Sequence, residues 1–134
     1  MIFSLDKNNI DNLDNTFINK KYIEDELLNN PFGNVLLYEE DNIIIGYIYY
    51  SDIYDRVEIN QFEIDLIHRN CGKGKNFLKK FIKTVDKDIT LEVKIDNNPA
   101  IKVYEDSGFK RIAIRKGYYK GIDGILMERK KDSK

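Results

Sequence analysis

The segment from Arg69 to Lys75 has the composition of an anion-binding loop at the start of a helix. Glycines at positions 72 and 74 allow the backbone to approach a ligand closely, and the first amides of a helix have no acceptor within it. The aligned peptide dipoles favour a negative charge at that end, and Lys73 and Lys75 add two cations. The spacing differs from that of a Walker loop. An ordinary tight turn explains the two glycines equally well, so this segment alone does not establish a phosphate site.

Two further residues have the chemistry to move protons. Glu92 alternates with Leu91 and Val93 in a predicted strand and therefore faces away from them. In a central strand such a carboxylate can act as a general base, although a solvated face on a peripheral strand is the simpler interpretation. Tyr104 lies in a predicted helix and is a proton donor at neutral pH, because the pKa of a phenol is near ~10. Its spacing with Ala100 also fits an aromatic side chain that faces the core.

Other kinds of site are disfavoured by the counts. The sequence has one histidine and one cysteine, which excludes an internal disulfide framework and a Cys/His metal centre, so no metal is expected. His68 and Cys71 have no evident orienting acid, which leaves a nucleophilic site poorly supported. Both are predicted to be loop residues.

These residues are positioned by alternating strands and helices in the order β, α, α, β, β, β, α, β, α, β, β. The hydrophobic pattern predicts one or two helices within residues 6–30 and an amphipathic helix over 77–85. A third helix begins at the cap Asn98, with Pro99 at its first position, and ends at Gly108. A phase slip at Gln61-Phe62 predicts a β-bulge. Strands are predicted over 2–5, 35–38, 43–50, 57–66, 89–93, 109–115 and 124–128, the last two joined by a loop at Tyr118-Tyr119.

The composition predicts one soluble domain spanning residues 1–134. The chain is 42% hydrophobic and 34% charged, and its N-terminus has no signal-peptide pattern, so we expect a cytoplasmic protein that does not associate with membranes. The charge is unevenly distributed. Residues 1–66 hold 4 Lys and Arg against 14 Asp and Glu, a net charge of −10, whereas residues 67–134 hold 18 against 9, a net charge of +9. This polarity suits an anion on one half and a cationic partner near the other, although charges that simply follow solvated faces explain it as well.

The order of these motifs along the chain is more specific than any one of them alone. The loop pattern Arg69-x-x-Gly72-x-Gly74 follows a strand, Glu92 lies on the next strand, and Asn97-x-x-Ala100-Ile101-x-x-Tyr104-x-x-x-Gly108-Phe109 follows. This combination resembles the GNAT superfamily of acetyl-CoA-dependent N-acetyltransferases over about residues 35–130. Residues 91–109, Arg115–Tyr119 and Asp123–Met127 look most like the RimI-type branch. Its members acetylate N-terminal amines of proteins, and the type activity is on the terminal alanine of a small-subunit ribosomal protein.

The resemblance implies an α/β (α+β) GNAT fold. Such a fold has a mixed, mostly antiparallel sheet of about seven strands, with helices on both faces and a splayed central parallel pair. It also implies acetyl-CoA as cosubstrate, with Glu92 as the base, directly or through water, and Tyr104 as the acid for the departing thiolate. The loop would hold the pyrophosphate, the edge of the 62–66 strand would pair with the pantetheine, and Asn97 would touch the cofactor. The implied cofactor-binding residues are Phe62, Ile64, Leu66, Arg69, Asn70, Cys71, Gly72, Lys73, Gly74, Lys75 and Asn97.

The acceptor expected from this resemblance is a basic peptide or protein N-terminus such as that of a ribosomal protein. The acidic half would attract it through Glu24, Asp25, Glu26, Asp52, Asp55 and Glu58. The sequence departs from the branch in lacking tryptophan, and therefore its Pro-Trp-Ser element, and in a shorter loop after Tyr118-Tyr119. The alternatives are acetylation of a small-molecule amine, a polyamine or a lysine side chain, and a non-catalytic CoA- or RNA-binding module. No direct contact with nucleic acid is expected, because stacking aromatics do not interleave the lysines of the 75–83 helix.

Overall fold

The computed structural model describes residues 1–6, 8–69 and 71–131. The described part contains two short 3₁₀ helices, at Ile10–Leu13 and Leu66–His68, and three α-helices: α1 (Lys20–Asn29), α2 (Lys73–Thr84) and α3 (Asn98–Asp106). Its strands are β1 (Ile2–Ser4), β2 (Gly33–Glu40), β3 (Ile43–Ile53), β4 (Arg56–Ile64), β5 (Asp88–Lys94), β6 (Lys110–Tyr119) and β7 (Ile122–Arg129). None of these helices is long and apolar enough to cross a membrane.

The seven strands form one sheet in the order β1-β2-β3-β4-β5-β7-β6. Neighbouring strands are antiparallel except β4 and β5, which are parallel. That pair is hydrogen-bonded only from Arg56 opposite Asp88 to Ile59 opposite Leu91. Beyond this point β4 continues to Ile64 and β5 to Lys94 without pairing with each other. The predicted mixed sheet with a splayed central parallel pair is confirmed, and the separation of β4 and β5 opens a gap near its middle.

Both faces of the sheet are covered by helices, as predicted. The α2 residues Phe77, Leu78 and Phe81 pack on one face together with Ile101 and Tyr104 of α3. The first 3₁₀ helix and α1 cover the other face, where Leu13 and Ile23 pack against β2 and β3. The polar segment 6–30 thus contains one 3₁₀ helix and one α-helix. Glu92 lies between Leu91 and Val93, which are buried in the α2–α3 core, so its side chain points to the opposite face, as the alternation predicts.

The β-bulge lies one residue before the predicted position. Tyr50 of β3 is opposite Ile59 and Tyr49 is opposite Gln61, which leaves Asn60 as the extra residue of β4. The alternation of apolar residues shows that a phase slip exists but does not fix which residue is extra.

Several predicted boundaries differ from the structure, and three of these differences have a clear structural reason. The strand β4 ends at Ile64, and Leu66 is 72% exposed in the following 3₁₀ helix, so the apolar pattern extended past the last sheet hydrogen bond. The cap of α3 is Asn97, whose Oδ1 accepts from the amide of Ala100 at 3.3 Å. Tyr118 and Tyr119 belong to β6, and the hairpin turn lies at Lys120 and Gly121, both with positive φ.

Candidate active site

A cavity of about 540 Å³ lies where β4 and β5 separate, on the face of the sheet covered by α1. Its wall contains three glutamates and no lysine or arginine. An ammonium group would therefore be attracted to this cavity, whereas an anion would be repelled. Its lining residues are Tyr22, Glu26, Asn29, Asn30, Tyr49, Glu58, Ile59, Asn60, Thr90, Leu91, Glu92, Tyr118, Tyr119 and Leu126.

Glu92 is the carboxylate in this wall that lies on β5, directly after the last residue paired with β4. Its side chain is 18% exposed, and Arg115 Nε lies 3.0 Å from Oε1. The Arg115 guanidinium also stacks over the ring of Tyr118, 4.9 Å from its centroid. The other oxygen, Oε2, is buried and has no hydrogen-bond partner among the described residues. Arg115 therefore orients the carboxylate and balances its charge, while one buried oxygen stays available to a ligand.

Tyr104 borders the same gap from the opposite face. It extends from α3 into the apolar core, and its ring centroid lies 6.2 Å from that of Phe62 and 5.8 Å from that of Phe109. Burial raises the pKa of the Tyr104 phenol to about 12, and the nearby phenol of Tyr119 adds to the shift. No hydrogen bond to the hydroxyl is formed within the described part of the chain, and the group stays protonated at all physiological pH values. The structure thus brings Glu92 and Tyr104 to the two faces of one gap rather than into one cavity.

The start of α2 has the conformation expected of an anion-binding loop. Gly72 has φ +81°, a left-handed conformation that favours glycine. The amide of Asn76 donates to the carbonyl of Gly72 at 3.0 Å as the first helical bond. The preceding amides of Lys73, Gly74 and Lys75 have no acceptor among the described residues. Three adjacent donors at a helix N-terminus form the arrangement that binds phosphate groups.

The two lysines of this loop are less free than the sequence predicts. Lys73 forms an ion pair with Glu40 at the end of β2, which holds the pKa of the lysine above its ordinary value. The Nζ of Lys75 lies 3.6 Å from Asp106 Oδ2 at the end of α3. Both acids are distant in sequence, so the loop pattern gave no signal of these pairs. The backbone amides are therefore the stronger anion-binding feature of the loop.

The remaining loop residues hold the end of β4. Arg69 Nε donates to the carbonyl of Ile64 at 2.7 Å, and its guanidinium lies 3.5 Å from Glu63. The exposed Cys71 thiol donates to the carbonyl of His68 at 3.0 Å. Asn70, also predicted to bind the cofactor, lies outside the described residues. The side chain of Arg69 is thus engaged with the strand, which fixes the loop relative to the sheet.

The unpaired stretch of β4 lies directly against this loop. Phe62 and Ile64 pair with Ile48 and Gly46 of β3, and their other edge faces the gap. A Cβ placed on Gly74 would come within 3.3 Å of Ile64 Cγ1. A larger residue at position 74 would therefore require the Ile64 side chain to shift by a few tenths of an ångström, so glycine suits this close approach of α2 to β4. The free strand edge and the helix N-terminus form one continuous surface.

A buried polar network that the sequence did not predict supports the bulge. Asn30 Nδ2 donates to the Tyr49 hydroxyl at 2.8 Å and to Ser51 Oγ at 2.9 Å. Asn60 Nδ2 donates to the same Ser51 Oγ at 2.7 Å, and Ser51 is 5% exposed. In the sequence these polar residues have the pattern of ordinary turn and surface positions. Tyr118 and Tyr119 of the cavity wall, and Arg115, which pairs with Glu92, were visible in the sequence only as the motif Arg115–Tyr119.

Comparison with known proteins identifies the family of this chain. The model of the acetyltransferase (GNAT) family matches residues 6–109. A putative [ribosomal protein bS18]-alanine N-acetyltransferase of Bacillus subtilis is 31% identical over 108 residues, which are 76% of this chain and 72% of that protein.

Solved structures show the same fold. The crystal structure of the ribosomal-protein-S18-alanine N-acetyltransferase from Escherichia coli superposes with a TM-score of 0.81 at 20% identity, covering 97% of this chain and 92% of that one. A GNAT family acetyltransferase from Elizabethkingia anophelis with acetyl-CoA bound gives a TM-score of 0.79 at 20% identity, covering 97% of each chain. No group of three or more potential metal ligands occurs within residues 1–6, 8–69 and 71–131. The chain therefore belongs to the GNAT acetyltransferase family and is an N-acetyltransferase that resembles the RimI type.

Proposed function

We propose that this chain transfers the acetyl group of acetyl-CoA to the N-terminal α-amine of a protein or peptide, such as a ribosomal protein. The observation that carries the proposal is Glu92 Oε2, a buried carboxylate oxygen without a partner among the described residues. It belongs to the wall of a cavity whose lining residues include three glutamates and no lysine or arginine, while Arg115 pairs with the other oxygen of Glu92. Such an oxygen can attract an ammonium group and then accept its proton, directly or through a water molecule.

The donor side of the gap fits acetyl-CoA. The free amides after Gly72 suit the pyrophosphate, and the unpaired edge of β4 at Phe62 and Ile64 offers backbone groups to the amides of the pantetheine. When bound there, acetyl-CoA supplies the activated acetyl group. The proposed cofactor contacts also include Leu66, Arg69, Asn70, Cys71, Lys73, Gly74, Lys75 and Asn97.

The reaction follows from the positions of the two proton carriers. The neutral amine nitrogen attacks the carbonyl carbon of the thioester, a C–N bond forms, and the C–S bond breaks. Glu92 first takes one proton from the ammonium group to give this neutral amine. After the attack the nitrogen releases a second proton to solvent, while Tyr104 donates a proton to the departing sulfur from the other face of the gap and is reprotonated from solvent. A backbone amide near the bulge at Asn60 stabilises the developing oxyanion, and alignment of the two substrates contributes much of the rate.

An α-amine suits this site better than a lysine side chain does. The pKa of a peptide α-amine is near ~7.8 and that of lysine near ~10.4, a difference of about 2.6 units or roughly 3.5 kcal/mol. A single carboxylate whose other oxygen is occupied by Arg115 is a modest base. The amine that requires less deprotonation energy is therefore favoured.

A polyamine is the second candidate acceptor. One ammonium group needs one carboxylate, whereas the cavity contains three glutamates and could hold several cationic nitrogens. Glu26, Glu58 and Glu92 would each attract a cationic nitrogen of such a molecule. The polyamine needs no surface outside the cavity, whereas a protein acceptor extends beyond it. A panel of acceptors distinguishes the two.

The test uses the purified full chain with acetyl-CoA and three acceptors. These are a lysine-free peptide beginning with alanine, the same peptide with a blocked N-terminus and one internal lysine, and spermidine. We expect rapid release of CoA and a mass increase of one acetyl group only with the first peptide. Turnover of spermidine or of the blocked peptide without α-amine product would refute the proposal.

The role of Glu92 is tested with Glu92→Gln, which keeps the shape of the side chain and removes the base. We expect kcat/KM to fall by roughly 10²–10⁴-fold, with the affinity for acetyl-CoA unchanged. Glu105→Gln is the matched control, because Glu105, on α3, pairs with Arg111 of β6 and does not line the cavity. Equal losses in the two variants would refute the assignment of Glu92.

A further inference from the structure

We propose that a surface beside the cavity, built on the stacked rings of Phe32 and Tyr54, binds the basic segment that follows the acceptor's N-terminal residues. We call this pair of rings the aromatic ridge. The inference rests on the proposed α-amine activity and names the region of the acceptor that the enzyme recognises outside the cavity. It commits to one occupant, an extended segment that is both basic and apolar.

The aromatic ridge is exposed and has a defined shape. Phe32 precedes β2, Tyr54 lies in the turn between β3 and β4, and their ring centroids are 5.7 Å apart with an interplanar angle of 67°. Tyr54 is 83% exposed and Phe32 is 38% exposed, and Leu28 at the end of α1 is as exposed as Tyr54. Aromatic residues dominate the energy of protein interfaces, and rings that already contact each other lose little freedom on binding.

The backbone at Tyr54 supports a role other than folding. Tyr54 has φ +25°, a positive value that is unfavourable for a bulky residue and that glycine or asparagine adopts more readily. An exposed tyrosine in this conformation costs stability of about 1 kcal/mol or more. Within the described structure its ring forms one aromatic pair, the edge contact with Phe32. The turn thus presents an aromatic side chain to solvent at a cost to folding.

Hydrogen bonds connect the ridge to the cavity wall. Asn30 Oδ1 accepts from the amide of Phe32 at 3.1 Å, while Nδ2 of the same side chain donates to Tyr49 and Ser51. Asn30 and Tyr49 both line the cavity. The carbonyl of Phe32 accepts from the amide of Asp52 at 3.0 Å. The ridge therefore begins at the cavity wall, and an acceptor whose amine is in the cavity would pass along it.

The charge around the ridge is negative. Lys21 pairs with Asp25, Lys87 with Asp52, and Arg56 with both Asp55 and Glu58. The surface around the ridge carries these three cations and six carboxylates, which gives a net charge of −3. The carboxylates are Glu24, Asp25, Glu26, Asp52, Asp55 and Glu58. The pairs are solvent-exposed and individually weak, so a basic segment can replace their cations. A second copy of this face would bring like charges together, which disfavours self-association through it.

The test compares peptides that share the same four N-terminal residues beginning with alanine. One peptide ends there, one continues with alternating lysine and leucine, and one continues with alternating glutamate and leucine. We expect the basic extension to raise kcat/KM above that of the tetrapeptide by at least about fivefold at low salt, and this gain to decline as the salt concentration rises. An equal gain from the acidic extension would overturn the proposal.

Tyr54→Asn removes the ring and suits the turn conformation, so the variant should fold at least as well as the parent. We expect it to lose most of the gain from the basic extension and to keep its rate on the tetrapeptide. Ile112→Asn is the control, because Ile112 is an exposed apolar residue on the edge strand β6, and it should keep both rates.

The outcomes separate the two proposals. Failure of the parent enzyme to acetylate the tetrapeptide would refute the α-amine activity itself. If the tetrapeptide is acetylated but the basic extension gives no gain, the docking surface alone is overturned. The same holds if Tyr54→Asn lowers the rates on the tetrapeptide and on the extended peptide equally. A dimer of the parent enzyme that Tyr54→Asn dissociates would assign the ridge to self-association and would also overturn it.

Discussion

Removal of the Tyr104 hydroxyl separates the proposed catalytic role of this residue from its structural role. The hydroxyl has no hydrogen-bond partner among the described residues, so Tyr104→Phe leaves no described polar group unsatisfied and keeps the contacts of the ring with Phe62 and Phe109. We therefore expect the free energy of unfolding at neutral pH to change by less than about 1 kcal/mol. A hydrogen bond to a charged group contributes about 1.5–3 kcal/mol, so loss of the donor to the departing sulfur should lower kcat roughly 10- to 150-fold.

The same variant has a distinct effect at alkaline pH. Burial raises the folded-state pKa of Tyr104 to about 12 from its ordinary value of 10.0, so the folded state retains this proton where the unfolded state loses it. Its contribution to stability is present below pH 10 and is lost as the pH rises through 12. Between pH 9 and pH 11 the parent should lose roughly 1.3 kcal/mol more unfolding free energy than Tyr104→Phe. Burial also raises the pKa of Tyr47, but Tyr47 is present in both proteins and cancels in the difference.

The assays are urea unfolding at pH 9 and pH 11, and CoA release with an alanine-initial peptide at neutral pH. Tyr54→Phe, which removes an exposed hydroxyl and keeps the ring, is the control for both measurements, and the acceptor is the four-residue peptide, which does not extend to the aromatic ridge. The protonated phenol also predicts that kcat has no descending limb from Tyr104 below pH 10. A kcat within twofold of the parent would refute the proposed acid, and a large loss of stability at neutral pH would show that the hydroxyl is structural. Equal alkaline losses in the two proteins would refute the raised pKa.

Two further substitutions test the loop and the network, each with a matched control. Gly72→Ala should destabilise the protein by about 1–2 kcal/mol, because alanine is strained at φ +81° although its Cβ would meet no other atom. The strained loop should also raise the Kd for CoA several-fold. The control is Gly121→Ala, at φ +93°, where an added Cβ would also meet no other atom. It should lose a similar amount of stability and keep the CoA affinity unchanged in calorimetry. Equal Kd values for the two variants would contradict the anion site. Ser51→Ala removes the acceptor of Asn30 and Asn60 and should cost about 1–3 kcal/mol and lower kcat. The control is Ser107→Ala, which removes a buried hydroxyl with no partner among the described residues and should leave the thermal stability nearly unchanged. Similar losses of stability in both serine variants would show that the network has no special role.

The sequence was sufficient for features that depend on neighbouring residues. Alternation with Leu91 and Val93 predicted correctly that Glu92 faces away from the α2–α3 core. The helical spacing of residues 77–85 predicted α2, and two glycines predicted the tight start of that helix. The order of strands and helices was also correct. These predictions succeeded because strand and helix periodicities are properties of the local backbone and need no knowledge of the partner element.

Strand ends were less predictable for a related reason. The apolar run of β4 continues to Leu66, but the strand ends at Ile64 and the last backbone hydrogen bond to β3 is from the amide of Asp65 to the carbonyl of Ile45. Only the partner strand determines where pairing stops. Likewise, Tyr118 and Tyr119 read as a loop until β7 is present to pair with β6. Either asparagine can cap α3, and the backbone geometry selects Asn97.

The cavity and its electrostatics depend on contacts between distant segments. Lys73 pairs with Glu40, and Arg115 pairs with Glu92. The network of Asn30, Ser51 and Asn60 joins the end of α1 to two strands. Residues far apart in the chain come together only when the sheet has formed and its strands have a fixed register. The sequence by itself therefore determined which side chains can carry the chemistry and which face of each element they occupy, whereas the tertiary structure decided which charges meet, where the sheet opens and which oxygen of Glu92 remains free.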